Sequence, residues 1–427
     1  MGRQSSTVQT LVALGLLARV AIGVPLFWIS YLRLPMLTSL QLSAGFWQPM
    51  LDARGYFDTA ASAVERGLSS ISPSSPSPFF TRALTLWMQI VGVSPASGML
   101  LNLCLYLGCC ALLTRVYRPA GRWAPDAPLL LTLATVSFSP VLLIDSTQPL
   151  KDDLFFSLVV TICATTLLML RSLGAPTARG RSALVASLGA LALAIYAAAG
   201  IRSYYALLVL ACLAATLTGF TFSSTGRRLR TALAGVLILS VVSYAYVSGA
   251  GSHVRPNPDE RRRIAESLHW ERGLHAADGA FGAVGAARRK FVRAGGDTNI
   301  VAAHGSLAAT VGLGLAIIVV PISILKATSL VSFSGGRGLL MITDADTVVM
   351  DLSLIGLGVF VFRRRHLIGD RRTFVWFGLT LAVLTAVLLG YVVTNFGTLF
   401  RLRYLVAAPL WTLALAVSPR PAVSTRR

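Results

Sequence analysis

Residues 306–334 read SLAATVGLGLAIIVVPISILKATSLVSFS, an apolar stretch interrupted by Pro321 and Lys326. Whether it crosses a membrane once or turns back decides the topology of the whole chain. A single crossing would put the loop carrying Arg363, Arg364, Arg365, Arg371 and Arg372 outside, against the tendency of short basic loops to stay cytoplasmic. A broken, re-entrant pair that enters and leaves on the outer side is allowed where the backbone is buried in protein. That reading keeps this loop inside together with Arg115/Arg118/Arg122, Arg171/Arg179/Arg181, Arg227/Arg228/Arg230 and Arg420/Arg426/Arg427. A further crossing hidden in 250–305 is the alternative, but that segment carries nine basic and six acidic residues and is too polar.

Outward from this stretch, apolar spans are expected at 10–32, 98–117, 126–144, 153–172, 183–200, 204–222, 231–249, 346–363, 373–393 and 402–418. With the re-entrant segment they give about 11 spans. Composition agrees: 55% of residues are hydrophobic, 13% are charged and mean hydropathy is +0.69, which excludes a soluble fold. The apolar runs are continuous rather than alternating, so helices and not a barrel are expected, in an all-α polytopic bundle. Residues 1–427 read as a single membrane domain with two long outer segments, 33–97 with interfacial helices and 250–305 as an amphipathic helical loop. The expected location is the cell inner (plasma) membrane, multi-pass, with both termini cytoplasmic. The first apolar run has spanning length and no small-residue cleavage site, and so reads as a retained anchor.

The net charge of +21 is mostly topological and does not call for nucleic acid. Cys104, Cys109, Cys110, Cys163 and Cys212 lie in apolar segments and read as small core residues. His253, His269, His275 and His304 lack HxxxH or HExxH spacing, so no metal is assigned. There is no GxxxxGK[ST] string and no other cofactor signature.

Five polar clusters fall at one membrane face: Asp52–Asp58, Asp145–Asp153, Arg202–Tyr205, Asp344–Asp346 and Asn395–Arg403. Asp52, flanked by aromatics near the membrane surface, suits general-base work if partly desolvated; capping a short helix is the plainer reading. Lys151 stands out in an arginine-dominated chain, because a compact ammonium suits a phosphate oxygen. Asp152 and Asp153 behind it can cap the next helix, and at least one is expected to do so. Arg202 with Tyr204 sits in a tight turn, where it can bind an anion or snorkel within an aromatic belt. Arg401 and Arg403 run against the charge bias on the outer side, which a phosphate or carboxylate partner explains; pairing with Asp344, Asp346 or Asp351 does so too. Within the spans only Arg19 and Asp351 are conspicuous, both expected near span ends or snorkelling.

Asp52…Gly55-Tyr56, Gln148-Pro-Leu-Lys151-Asp152, Arg202-Ser-Tyr204, Arg293-Ala-Gly-Gly296 and Asn395-Phe-Gly-Thr398…Arg401-Leu-Arg403 together resemble the type-C (GT-C-like) polytopic glycosyltransferases of bacterial cell-envelope polysaccharide pathways. The resemblance covers most of the chain as dispersed short motifs. It implies a polyprenyl-phosphate-linked sugar donor and a glycan or lipid acceptor at the outer face. Asp52 would be the catalytic base, with Asp58 in reserve. Lys151, Arg202, Arg401 and Arg403 would neutralise the lipid phosphate, and Tyr56, Asp152, Tyr204 and Asn395 would complete the substrate site. The acidic loop departs from the family in lacking a clean Asp-Glu or Asp-x-Asp pair. A polysaccharide polymerase or ligase would share the donor, and a lipid-linked glycan transporter is the remaining alternative.

Overall fold

The computed structural model describes residues 2–72, 77–117, 127–173, 178–223, 312, 315–328, 337–366, 368, 372–393 and 396–417. Their helices in chain order are α1 (Gly2–Tyr31), α2 (Leu51–Arg66), α3 (Pro78–Val91), α4 (Ala96–Tyr117), α5 (Ala127–Phe138), α6 (Pro140–Asp145) and α7 (Lys151–Leu173). They continue with α8 (Ala178–Ile201), α9 (Ser203–Ser223), α10 (Ile322–Ala327), α11 (Arg337–Arg363), α12 (Arg372–Val392), α13 (Phe396–Leu402) and α14 (Tyr404–Val417). Seven stretches are long and apolar enough to cross a membrane: α1, α4, α7, α8, α11, α12 and the run through α13 and α14. The chain is therefore a helical, membrane-embedded protein, and the count of about 11 spans expected from length and hydropathy is met only in part. The expected span 231–249 and the outer loop 250–305 lie outside the described residues.

Two proline breaks shape the bundle. The expected span 126–144 is two helices, because Pro140 has no N–H to continue α5 and opens α6 instead. In the 306–334 stretch the helical residues 315–319 stop at Val320 and α10 begins after Pro321, the break expected from the sequence. Asp344 Oδ1 accepts from the N–H groups of Ile322 (2.6 Å) and Ser323 (3.2 Å), satisfying the donors the break exposes. Ile317, Ile318, Ile322 and Leu325 pack into the main core. The stretch's remaining residues, and with them the face by which it enters, lie outside the described residues.

That core runs between α7, which packs on α8 and α4, and α14, which packs on α12, α7 and α11. Phe156 meets Tyr404 and Trp411 edge to face there, at centroid distances of 6.4 and 6.2 Å. α14 is almost wholly buried, whereas α1 and α8 turn Leu14, Leu17, Val185 and Leu193 outward, as lipid-facing helices should.

The bundle has two chemically distinct ends. At one, Arg171 Nη1 donates to the carbonyl of Val116 (2.9 Å), near Arg115. At the other, the segment between α1 and α4 folds back as a shelf: a hairpin of β1 (Gln41–Ser43) and β2 (Phe46–Trp47), then α2 and α3. Ser30 Oγ donates to Phe46 O (2.6 Å) and Gln148 Nε2 to Gly45 O (3.0 Å), so α1 and the α6–α7 turn both hold the hairpin. Two glycines allow close approaches: a Cβ on Gly98 would fall 2.4 Å from Pro149, and one on Gly200 would fall 2.7 Å from the Phe79 ring.

Candidate functional site

Asp152, in the first turn of α7, is the centre of the polar end and is buried. Arg202 is the single residue joining α8 to α9, and this tight turn directs its guanidinium inward. Its Nη2 donates to Asp152 Oδ1 (3.0 Å) and its Nη1 to the Tyr204 hydroxyl (2.9 Å). Arg401, on α13, lies on the other carboxylate oxygen, with Nη1 3.5 Å from Asp152 Oδ2. Lys151 Nζ donates to Ser77 Oγ (2.9 Å) and stands 5.5 Å from the centre of the Tyr56 ring. Three cations thus surround one carboxylate. Arg202 Nε and Arg401 Nη1 remain buried without a hydrogen-bond partner, an arrangement that disfavours leaving the site without a further acceptor.

Neighbouring groups tune this cluster. Burial holds the Asp145 carboxyl well above the usual carboxylate range, with Asp153, Asp152 and Asp346 adding to the effect and Arg401 opposing it. Asp145 thereby favours its uncharged form and leaves the cations in surplus. Burial penalises the charge of Arg202, but Tyr204 and Asp152 outweigh it and raise the guanidinium above its usual value. Burial, reinforced by Asp52, raises the Tyr56 phenol, so it serves as a neutral hydroxyl.

The segment between α1 and α4 supplies the rim. Asp52 lies in the first turn of α2 on an exposed face, and its charge acts on Tyr56, Lys151 and Arg401. Asp52 is exposed within the protein because α2 is amphipathic and buries Ala53, Tyr56 and Ala60 instead. Asp58 is also exposed and pairs with Arg54 at 3.7 Å; six positions along a helix turn it away from Asp52's face.

Arg403 does not join the cluster. It is fully buried with Asp346, to which its Nη2 donates, while its Nη1 donates to Thr347 Oγ1 (2.7 Å) and Phe400 covers the guanidinium at 3.7 Å. Asp346 also accepts from Ser139 Oγ (2.5 Å), Val141 N (3.1 Å) and Tyr404 OH (2.7 Å). Arg403 is the turn residue between α13, which carries Arg401, and α14, so Arg401 and Arg403 leave the chain at different places and serve different acids. Asn395, and the Arg293–Gly296 stretch, lie outside the described residues. Asp152 does not simply cap α7, since it is turned to the arginines.

Arg19 is neither terminal nor snorkelling. It is buried in mid-helix, with Nη1 donating to Ser137 O (2.9 Å) and Gly15 O (3.2 Å) and Nη2 to Val136 O (2.7 Å). The α5–α6 break explains this: Val136 O would take the N–H that Pro140 lacks, and Ser137 O would take that of Val141, which goes to Asp346. Ser139-Pro140 inside an apolar run was the sequence signal for those orphan carbonyls. Nothing local marked Ser77 or Ser139 as partners. Comparison with protein-family models, curated proteins and solved structures finds no match to this chain.

Proposed function

We propose that the protein is a membrane glycosyltransferase that moves a sugar from a polyprenyl-phosphate-linked donor to an envelope glycan or lipid acceptor at the outer face of the cell membrane. The observation that supports this reading is the Lys151/Arg202/Arg401 cluster around the buried Asp152, with spare arginine donors and an exposed carboxylate, Asp52, at its rim. In the reaction the acceptor hydroxyl attacks the anomeric carbon, its proton passes to Asp52, and the bond from that carbon to the phosphate oxygen breaks. The electron pair leaves with the polyprenyl phosphate. Cations fixed in a poorly hydrated site stabilise the charge that grows on that leaving group. Asp152 holds the two arginines in place for it.

The charge bias supports the outer location: Arg115 and Arg171, at the far ends of α4 and α7, and Arg364 after α11 belong to short basic loops that favour the cytoplasm. Labelling of a cysteine at position 364 from outside intact cells, with the native cysteines replaced, would overturn it. The function is tested by Asp52→Asn in a polyprenyl-phosphate-sugar turnover assay. Loss of a general base is expected to slow transfer by about 100- to 10,000-fold with membrane insertion retained. Full activity in that variant would refute the assignment.

A further inference from the structure

Arg19, Asn102 and Asp153 line a cavity of about 20 Å³ between α1, α4, α5 and α7, and one water needs roughly 10–15 Å³ on the same measure. One atom of each residue is enclosed without a hydrogen-bond partner: Arg19 Nε, Asn102 Oδ1 and Asp153 Oδ2. Arg19 and Asn102 are each 2% exposed. Orphan groups of this kind are costly in a membrane interior. They comprise one donor and two acceptors, and one water accepts once and donates twice. Arg19 cannot swing to meet the acid directly, because both its terminal nitrogens are committed to the carbonyls of Gly15, Val136 and Ser137.

We infer that this cavity is a binding site for a single structural water, which accepts from Arg19 Nε and donates to Asp153 Oδ2 and Asn102 Oδ1. The water joins α1, α4 and α7 and couples Arg19 to Asp153 without direct contact. Asp153 is thereby committed to Arg19, so that Asp152 is the tandem acid serving the neighbouring cation cluster. The inference stands on the cavity and its orphan atoms and is independent of the proposed reaction.

Hydroxyl radicals generated by an X-ray pulse modify side chains beside an internal water, and Tyr106 and Cys109 line this cavity. In the full chain in lipid nanodiscs, both are expected to be modified several-fold more than Cys163, which is buried in the same core away from the cavity, a larger difference than their own exposures of 5% and 4% account for. Asp153→Asn retains an acceptor and should keep the labelling, whereas Asp153→Leu fills the cavity and should abolish it. Should the leucine variant fail to fold, the wild-type contrast with Cys163 decides alone. Tyr106 and Cys109 as silent as Cys163 would overturn the water site. Labelling that disappears when sodium is replaced by choline would also overturn it, by assigning the cavity to a cation.

Discussion

Arg403 with Asp346 and Arg202 with Asp152 are buried arginine–aspartate pairs at the same end of the bundle, yet one is closed and the other open. Asp346 receives two donors on each oxygen, and neither partner touches solvent. Its charges balance one to one. Arg202 and Arg401 instead share Asp152, and Lys151 adds a third cation beside them; the Arg401 side chain keeps 16% of its surface exposed. Each pair loses solvation on burial, and only a complete set of partners offsets that loss. Arg403 Nε is as orphaned as Arg202 Nε, so charge balance and exposure separate the two: the balanced, fully buried pair is read as structural and the one with surplus, partly exposed cations as a site awaiting an anion. Position in the sequence did not separate them, since Arg401 and Arg403 belong to one short string.

The largest effect should come from breaking the closed pair. Arg403→Leu leaves Asp346 buried without its cation and is expected to cost about 3–5 kcal/mol, read as loss of monodisperse protein and a lowered thermal midpoint in detergent. A variant as stable as the parent would break the comparison. Arg401→Gln should instead fold normally and bind donor phosphate more weakly. Loss of one charge-assisted hydrogen bond is worth about 1.5–3 kcal/mol, roughly ten- to hundredfold in affinity, and titration with a polyprenyl phosphate would measure it. Equal destabilisation in the two variants would erase the distinction between structural and binding arginines.

Arg19 sharpens the same contrast, because it is buried on carbonyls rather than on an acid. Arg19→Met should cost about 1–3 kcal/mol for the unsatisfied carbonyls, measured by thermal unfolding. Pro140→Ala in that background should recover part of the loss by returning an N–H to Val136 O; no recovery would remove the proline break as the reason for Arg19. The smallest effect is expected at the rim. Asp58→Asn breaks an exposed pair worth roughly 1 kcal/mol or less and should leave donor turnover near that of the parent, in contrast to Asp52→Asn.

Much of this was legible in the chain itself. Apolar length and the placement of arginine are one-dimensional signals, so an all-helical membrane bundle and the break at Pro321 followed directly from the residues. So did the grouping of Asp52, Lys151, Asp152, Arg202 and Arg401 at one end, because successive crossings return each polar turn to alternate faces. Interruptions were harder to read: Pro140 lies in a run apolar enough to pass for one span, and its consequences appear only on α1 and α11.

What the tertiary structure alone decided is pairing. Which acid each arginine meets depends on helix rotation and packing between residues hundreds of positions apart, as with Ser139 and Asp346 or Asp152 and Arg401. The break between α13 and α14 at Arg403 separates it from Arg401 into a different environment. Sequence fixes how much charge must be buried at this end of the bundle; only the packing determines which of it is balanced.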